Sequence, residues 1–426
     1  MTARQVQLSF TVAGVDVAAA AVERVVVSWG RDDLGEQPGT ATLTAVIDLD
    51  RAGWTTTEAP AEGARVRVAA TLEQTAVEVF DGRIDEAAIR YDEATEHTHL
   101  RITADDLLAE LAQTNIGDEP YPTEPAATRA GRIAPPGLVA GISWTSPTLA
   151  EQPERLWTVA ARDIDRQPAL KLLHEIAVST DTAVYAGTDR RVVFHGLSLV
   201  HPGRVFVNNA GVWQSELAAA ADVELSAAHL QADAEWMRAR SQLVTDAVVR
   251  YRDELDPNAQ PEIRRTRRAA GLSKREQRTT ELAGPAEATI LAERLIRRGV
   301  PAWHTDVLVW DADDGGQAAG MFALMDATAR LGRSVQITGP PSWVPAEAVY
   351  GFVEGGTYSY VADVHPAVDE HPGRWVLGLA VVPAAGIGRG ISYATAAAQL
   401  PAMTYTTIDP AITYRQARSI GDPINA

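Results

Sequence analysis

The sequence predicts a mainly β chain with α+β insertions, in which two small β-barrel domains are joined by a mixed α/β middle region. Apolar and polar residues alternate through the first hundred positions, as in Arg65 to Ala69 and Thr98 to Thr103, which is typical of half-buried strands. Strand patterns return from Leu243 to Arg252 and continue toward Val382. The 426 residues exceed the roughly 250–300 that one core usually holds, so several domains are expected.

The composition excludes several classes of protein. With 46% hydrophobic and 22% charged residues the chain is expected to fold, because disordered chains lack the apolar residues for a core. Lys and Arg number 38 against 56 Asp and Glu, a net charge of −18, which disfavours binding to nucleic-acid phosphates. The absence of cysteine excludes disulfides and thiolate zinc sites. No run approaches 18 apolar residues, and no signal peptide precedes the first strand pattern.

Residues 1–116 are predicted to form the first barrel. Val22 to Trp29 and Thr40 to Leu49 are rich in β-branched residues, and a turn-rich loop separates them. A short helix closes the domain, with Asp105 as its candidate cap and Leu107, Leu108 and Leu111 as its apolar face.

The next two segments differ in character. Seven prolines between residues 117 and 153 predict a long loop or arm without regular elements, lying on a partner surface. Residues 154–235 are predicted to be the mixed α/β domain. Its helix begins at Pro168, with a Lys171–Glu175 ion pair, and is followed by a hairpin from Thr182 to Phe194.

Residues 236–385 are predicted to form the second barrel, with a helix opened by Gly284 and Pro285. Its strands are expected at Val307 to Trp310, Ser334 to Thr338, Val349 to Glu354 and Trp375 to Val382, while residues 317–331 fit helix or strand equally. Residues 386–426 are a loose tail, in which isolated apolar residues predict anchors that dock on a neighbouring protein. These candidate anchors are Tyr405, Ile408 and Tyr414.

An internal echo links the two predicted barrels. Gly82-Arg83-Ile84-Asp85 and Gly351-Phe352-Val353-Glu354 both have the form Gly-x-[Ile/Val]-[Asp/Glu]. Each begins a strand that is followed, after a polar turn, by a second alternating strand. The echo predicts that the two barrels are related.

No catalytic, cofactor-binding or metal-binding residues are predicted. His97 and His99 could be ligands on one strand face, but the sequence offers no obvious third ligand. The run from Asp311 to Gly316 fails as a calcium loop, because the fifth and twelfth positions are Gly315 and Phe322. His174-Glu175 lacks the second histidine of a zinc protease.

One basic run stands out in this acidic chain. It contains Arg264, Arg265, Arg267 and Arg268. Without interleaved aromatic residues, the run favours a solvated loop or an ion-pairing contact with an acidic neighbouring subunit over nucleic-acid binding.

Taken together, the chain resembles the tail hub, or tail-associated, family of long-tailed bacteriophages, often called minor tail or baseplate-hub proteins. The resemblance rests on the order of elements in four stretches. These are Val26 to Arg31 with Phe80 to Ile84 and His99 to Asp105; Pro168 to Ala177; Val335 to Pro341 with Gly351 to Gly355; and the tail with its repeated Thr-Tyr.

The resemblance implies a homotrimer whose two barrels per chain form a pseudo-sixfold ring between the hexameric tail tube and the threefold tip. It implies a structural, non-enzymatic virion protein without cofactors, made in the host cytoplasm and located at the distal tail tip. The implied partners are the distal tail protein or tube ring, the tape measure protein and a downstream tip or fibre protein. The genome passes through the ring without specific binding, and no membrane anchoring is implied.

Three alternatives remain open at the level of sequence. The chain could be the hub of a tailocin or a phage-derived injection apparatus. It could bind a receptor or glycan through exposed aromatic residues such as Trp144 and Trp157. A cell-wall hydrolase would need an acid/base pair or a metal site that the sequence does not supply. The tail after residue 385 is shorter than the usual minimum of about 50 residues for a further enzyme domain.

Overall fold

The elements below come from a computed structural model of the chain. It describes residues 6–31, 36–93, 96–145, 157–163, 166–196, 205–207, 213–215, 221–230, 235–238, 244–253, 259–266, 274–297, 303–305, 307–309, 318–329, 331–344, 347–362 and 373–383.

The described strands of the first half are β1 (Val6–Val12), β2 (Val15–Val17), β3 (Val22–Gly30), β4 (Gly39–Asp48), β5 (Arg65–Leu72), β6 (Thr75–Asp92), β7 (His97–Asp106), β8 (Asn115–Ile116), β9 (Glu124–Pro125), β10 (Gly141–Thr145), β11 (Thr158–Val159), β12 (Gln167–Pro168), β13 (Thr182–Ala186) and β14 (Arg191–Gly196). Those of the second half are β15 (Val205–Val207), β16 (Trp213–Ser215), β17 (Val223–Ser226), β18 (Trp236–Arg238), β19 (Val244–Arg250), β20 (Glu262–Thr266), β21 (Lys274–Thr279), β22 (Trp303–Thr305), β23 (Val307–Val309), β24 (Ser334–Thr338), β25 (Ala348–Val361) and β26 (Arg374–Pro383).

The helices are α1 (Leu49–Ala52), α2 (Leu107–Gln113), α3 (Ala126–Ile133), α4 (Ala169–Thr180), α5 (Pro285–Arg297) and α6 (Ala318–Met325). The mainly β prediction is confirmed. Among the described residues, no helix is both long and apolar enough to span a bilayer.

The described strands do not form two separate barrels, so that part of the fold prediction is wrong. Strands from both halves of the chain join one twelve-stranded sheet, ordered β17-β24-β25-β3-β4-β7-β6-β5-β1-β2, with β26 on β25 and β23 on β26. The described pairings branch at β25 and leave the sheet open at three terminal strands, β2, β17 and β23. The strands of the first half connect to those of the second where β3 pairs antiparallel with β25.

The join between β3 and β25 depends on two glycines and an ion pair. A Cβ at Gly30 would lie 2.2 Å from the Cα of Gly355, so only glycine permits the strands to approach this closely. Next to them, Arg31 donates from Nε and Nη2 to Glu354 Oε2 at 2.8 and 2.6 Å. The two partners are 323 residues apart, so strand periodicity does not reveal this pairing.

The described residues enclose two hydrophobic cores. The large sheet encloses one, with Leu43, Leu100, Tyr358 and Trp375 fully buried. The other lies among α2, α3, α4 and α5 and the strands β10, β13, β14 and β19, around residues such as Leu173. Both cores mix residues from distant parts of the sequence.

The proline-rich segment contains regular structure, contrary to the prediction of an arm without elements. Helix α3 occupies residues 126–133, where the sequence is free of proline and rich in alanine. Pro125 stands at its N-cap position, before the helical hydrogen bonds begin, so it does not interrupt them. Buried Arg129 ties the helix to Glu124, with Nε 2.7 Å from Oε1.

The middle helices follow the predicted pattern with local corrections. The cap of α2 is Asp106, whose side chain accepts from the Leu108 amide, rather than Asp105. Helix α4 begins after Pro168, and the predicted hairpin is β13 and β14. Glu175 pairs with Arg162 rather than with the predicted Lys171.

The chain divides into a large unit, residues 1–201 and 221–387, and a small one, residues 202–220 and 388–426. Within the small unit the described strands β15 and β16 form an antiparallel pair.

Candidate functional site

The sequence echo corresponds to a repeated arrangement of four strands. In the first half the order is β4-β7-β6-β5, and in the second half it is β23-β26-β25-β24. All the pairings are antiparallel, and each set follows the same order along the chain. A short helix follows the first strand of each set, α1 after β4 and α6 after β23. We call these sets repeat 1 and repeat 2.

Both repeats bend at the same position of the motif. In the pairing of β6 with β7, the register passes from Ile84 directly to Glu86, which leaves Asp85 as an extra residue on β6. In repeat 2 it passes from Val353 to Gly355, which leaves Glu354 as the extra residue. A bulge bends a strand and re-aims its two halves. Strand β6 pairs with β5 up to residue 83 and with β7 from residue 82, while β25 pairs with β24 up to residue 352 and with β26 from residue 351.

The two repeats differ at the outer edge of the bent strand. In repeat 2 the residues after the bulge pair with β26 on one side and with β3, a strand outside either repeat, on the other. In repeat 1 residues 86–92 pair with β7 on one side. Among the described strands, none pairs with their other side. We call residues 86–92 the β6 edge.

The β6 edge also carries exposed apolar side chains. A cross-strand row runs from Ile47 through Leu100 to Ile89. The first two are fully buried, whereas Ile89 is 47% exposed and Tyr91, two positions further along the same face, is 57% exposed. The apolar face of the sheet thus continues past the end of the core. An open edge beside exposed apolar groups is a template for adding another strand.

The predicted basic loop is a strand in its described part. Arg264 and Arg265 lie on β20, paired with β19, while Arg267 and Arg268 lie outside the described residues. Arg264 donates twice to Asp246 at 2.8 Å. These hydrogen bonds raise the pKa of Arg264 and lower the pKa of the Asp246 carboxyl. Arg264 is therefore engaged within its own chain, and a contact of this run with another subunit stays a prediction.

The other predicted docking residues lie partly outside the described part of the chain. Tyr405, Ile408 and Tyr414 fall there, so their role also stays a prediction. Of the two tryptophans considered for glycan stacking, Trp157 is buried, which contradicts its predicted exposure. Trp144 is half-buried and stacks on Phe194 with ring centroids 4.3 Å apart.

His174 and Glu175 do not form an acid/base couple. They line a surface cleft between α2 and α4 that is mostly apolar. Burial lowers the pKa of His174 to about 4, so its ring is neutral at pH 7. Its buried Nε2 has no hydrogen-bond partner among the described residues, and Glu175 is held by Arg162. A base without an orienting partner is poorly suited to catalysis.

Two solved structures match the chain over almost its full length. A tail protein from Neisseria meningitidis MC58 aligns over 91% of this chain and 98% of its own, with 10% identity and a TM-score of 0.55. The 43 kDa tail protein of prophage MuSo2 from Shewanella oneidensis aligns over 89% and 98%, with 12% identity and a TM-score of 0.55. The chain has the fold of a phage tail protein. No family model and no curated protein sequence matches it.

The resemblance predicted from the order of elements is therefore confirmed at the level of the fold. The β6 edge was not predicted. The alternation of Ala87, Ile89 and Tyr91 was a signal for an apolar strand face, but its exposure depends on which strands pair.

Proposed function

We propose that the chain is a structural tail-hub protein of a long-tailed phage, without enzymatic activity, that assembles as a homotrimer at the distal tail tip. The observation that carries the proposal is the match of the fold over nearly the whole length of two tail proteins. Only the predicted boundaries, at residues 116, 153, 235 and 385, belong to the same proposal, without the two barrels and the arm lacking regular elements.

The repeated strands support a pseudo-sixfold ring. Three chains with two repeats each present six related units, which suits a junction between a hexameric tube and a threefold tip. Within one chain the outer edge of β25 is occupied by β3. The corresponding β6 edge is then available to a strand from the next chain. Such a head-to-tail contact uses two different surfaces of each chain. It forms a closed ring when the rotation that relates neighbouring chains is a simple fraction of a full turn.

The net charge of −18 supports a role around passing DNA. Carboxylates near the lumen repel phosphates, so the genome slides instead of adhering. At physiological salt this repulsion reaches about 8 Å, so only residues close to the lumen contribute. The proposed neighbours are the distal tail protein or tube ring, the tape measure protein and a tip or fibre protein. The last of these docks on Tyr405, Ile408 and Tyr414.

The proposal is tested by placing a charge on the β6 edge. In Ile89→Arg the guanidinium would be buried at the contact between subunits, so sedimentation velocity should show dissociation of the trimer. Ile290→Arg is the matched control, because Ile290 is a similarly exposed apolar residue that lies on helix α5 and not on a sheet edge. If both variants sediment like the unchanged chain, the β6 edge is not the contact.

The hub of a tailocin or injection apparatus would share this fold. Purification of the assembled particle distinguishes this hypothesis from that of a phage tail hub, because a phage tail carries a DNA-filled head and an injection apparatus does not. The glycan-binding alternative is weakened by the burial of Trp157.

A further inference from the structure

Two carboxylates and an imidazole meet where β7 begins. Asp48 ends β4, Asp50 lies in α1, and His97 begins β7. Antiparallel pairing of β4 with β7 sets Asp48 opposite His99, which brings the three side chains together although His97 is 49 residues from Asp48. One ligand atom from each lies within 4.8 Å of the others.

Contacts with the backbone hold both carboxylates in place. Asp48 is 2% exposed, and its Oδ1 accepts from the Arg51 amide at 3.1 Å. Asp48 Oδ2 lies 2.7 Å from His97 Nδ1. Asp50 Oδ2 accepts from the Thr98 amide at 3.1 Å. Both carboxylates are thus hydrogen-bonded to backbone amides, with an oxygen of each within 4.8 Å of an imidazole nitrogen.

The histidine is positioned as well. The His97 ring stacks on the His99 ring with centroids 6.4 Å apart and an angle of 27° between planes. This contact limits rotation of the His97 ring and keeps Nδ1 directed at Asp48. A site whose donors are held in advance loses less entropy when it binds an ion.

We infer that Asp48, Asp50 and His97 form a binding site for one Zn²⁺ ion. Zn²⁺ takes imidazole nitrogen and carboxylate oxygen at about 2.0–2.2 Å, and three protein ligands leave a fourth position for water. Binding widens the Asp48–His97 contact by a few tenths of an ångström, which a small side-chain rotation supplies. The Nε of Arg51, now 3.3 Å from Asp48 Oδ2, swings outward, and its side chain is 61% exposed.

The ion fixes the turn at α1 to the beginning of β7. It therefore stiffens the end of the β6–β7 hairpin at which β6 ends and β7 begins, beside the β6 edge. The inference does not depend on the proposed function, because it rests on the three side chains alone.

The test is metal binding by the intact chain. After treatment with EDTA, the protein is dialysed against Zn²⁺, and bound metal is measured by mass spectrometry. Co²⁺ is used in parallel, because a low-coordinate Co²⁺ ion with a nitrogen ligand gives intense visible absorption. We expect one ion per chain.

Two variants assign the site. Asp50→Asn retains an oxygen for the Thr98 amide but removes the charge, and His97→Gln removes the imidazole. Each should weaken Zn²⁺ binding about tenfold or more and abolish the Co²⁺ bands. Asp16→Asn, an exposed aspartate on β2, is the matched control and should leave binding unchanged. Circular dichroism confirms that each variant is folded.

The inference is overturned by a chain that binds no Zn²⁺ at concentrations that saturate zinc sites. It is equally overturned if binding persists unchanged in both Asp50→Asn and His97→Gln, since the ion then lies elsewhere.

Discussion

Replacing Glu354 with glutamine should strongly destabilise the chain, because Glu354 forms a buried ion pair that joins its two halves. The Arg31 and Glu354 side chains are 1% and 0% exposed. Two charges about 4 Å apart attract by about 4 kcal/mol at an effective dielectric constant of about 20. Glu354→Gln keeps the shape and one acceptor but leaves the guanidinium buried without its counter-charge. We expect a loss of about 3–5 kcal/mol of unfolding free energy.

The reverse change, Arg31→Met, should destabilise the chain as well, because it leaves the Glu354 carboxylate buried without its counter-charge. The double variant should lose less stability than the sum of the single losses, because the two residues interact.

The assay is urea unfolding followed by tryptophan fluorescence, to which Trp29 on β3 contributes next to the pair. The control is Asp246→Asn, which breaks the more exposed pair with Arg264 and should cost at most about 1 kcal/mol. If Glu354→Gln costs no more than this control, the ion pair does not hold the halves together and the reasoning is refuted.

Two further predictions concern the same region and the buried histidines. Gly30→Ala should lower the melting temperature measured by calorimetry, because Gly30 has φ of +91° and the added Cβ would overlap Gly355. The backbone strain alone costs about 1–3 kcal/mol. An unchanged melting temperature would contradict the close approach of the two strands. Burial lowers the pKa of His174 and His195 to about 4. The unfolded chain therefore binds more protons below about pH 6.5, and stability should fall as the pH drops from there toward 4, by at most about 3 kcal/mol per histidine. His174→Gln should flatten this part of the urea-midpoint profile, and an equally steep profile would refute the assignment.

Local elements were predictable because their signals are local. The strands from Val22 to Asp48, the helix after Pro168 and the hairpin that follows it all carry periodicity or turn residues within a few positions. Errors of one residue, such as Asp105 for Asp106 as a cap, arise because both carboxylates precede the same apolar face.

Long-range pairing was not predictable in the same way. No local sequence pattern indicates that β3 pairs with β25 instead of closing a barrel within its own half of the chain. Gly30 and Glu354 contribute to this pairing only once the two strands are in contact. The β6 edge was missed for the same reason, because it is defined by the strands that do and do not reach it. The echo between Gly82 and Gly351 was the one sequence signal that pointed to the repeated strands.

The central claim is assembly into a threefold hub, and the molar mass of the purified chain in solution tests it most directly. Light scattering coupled to size exclusion should give three times the 45.6 kDa of the chain, and the mass should not change on dilution over the working range. A chain that remains monomeric at every concentration, with its β6 edge exposed to solvent, would contradict the account.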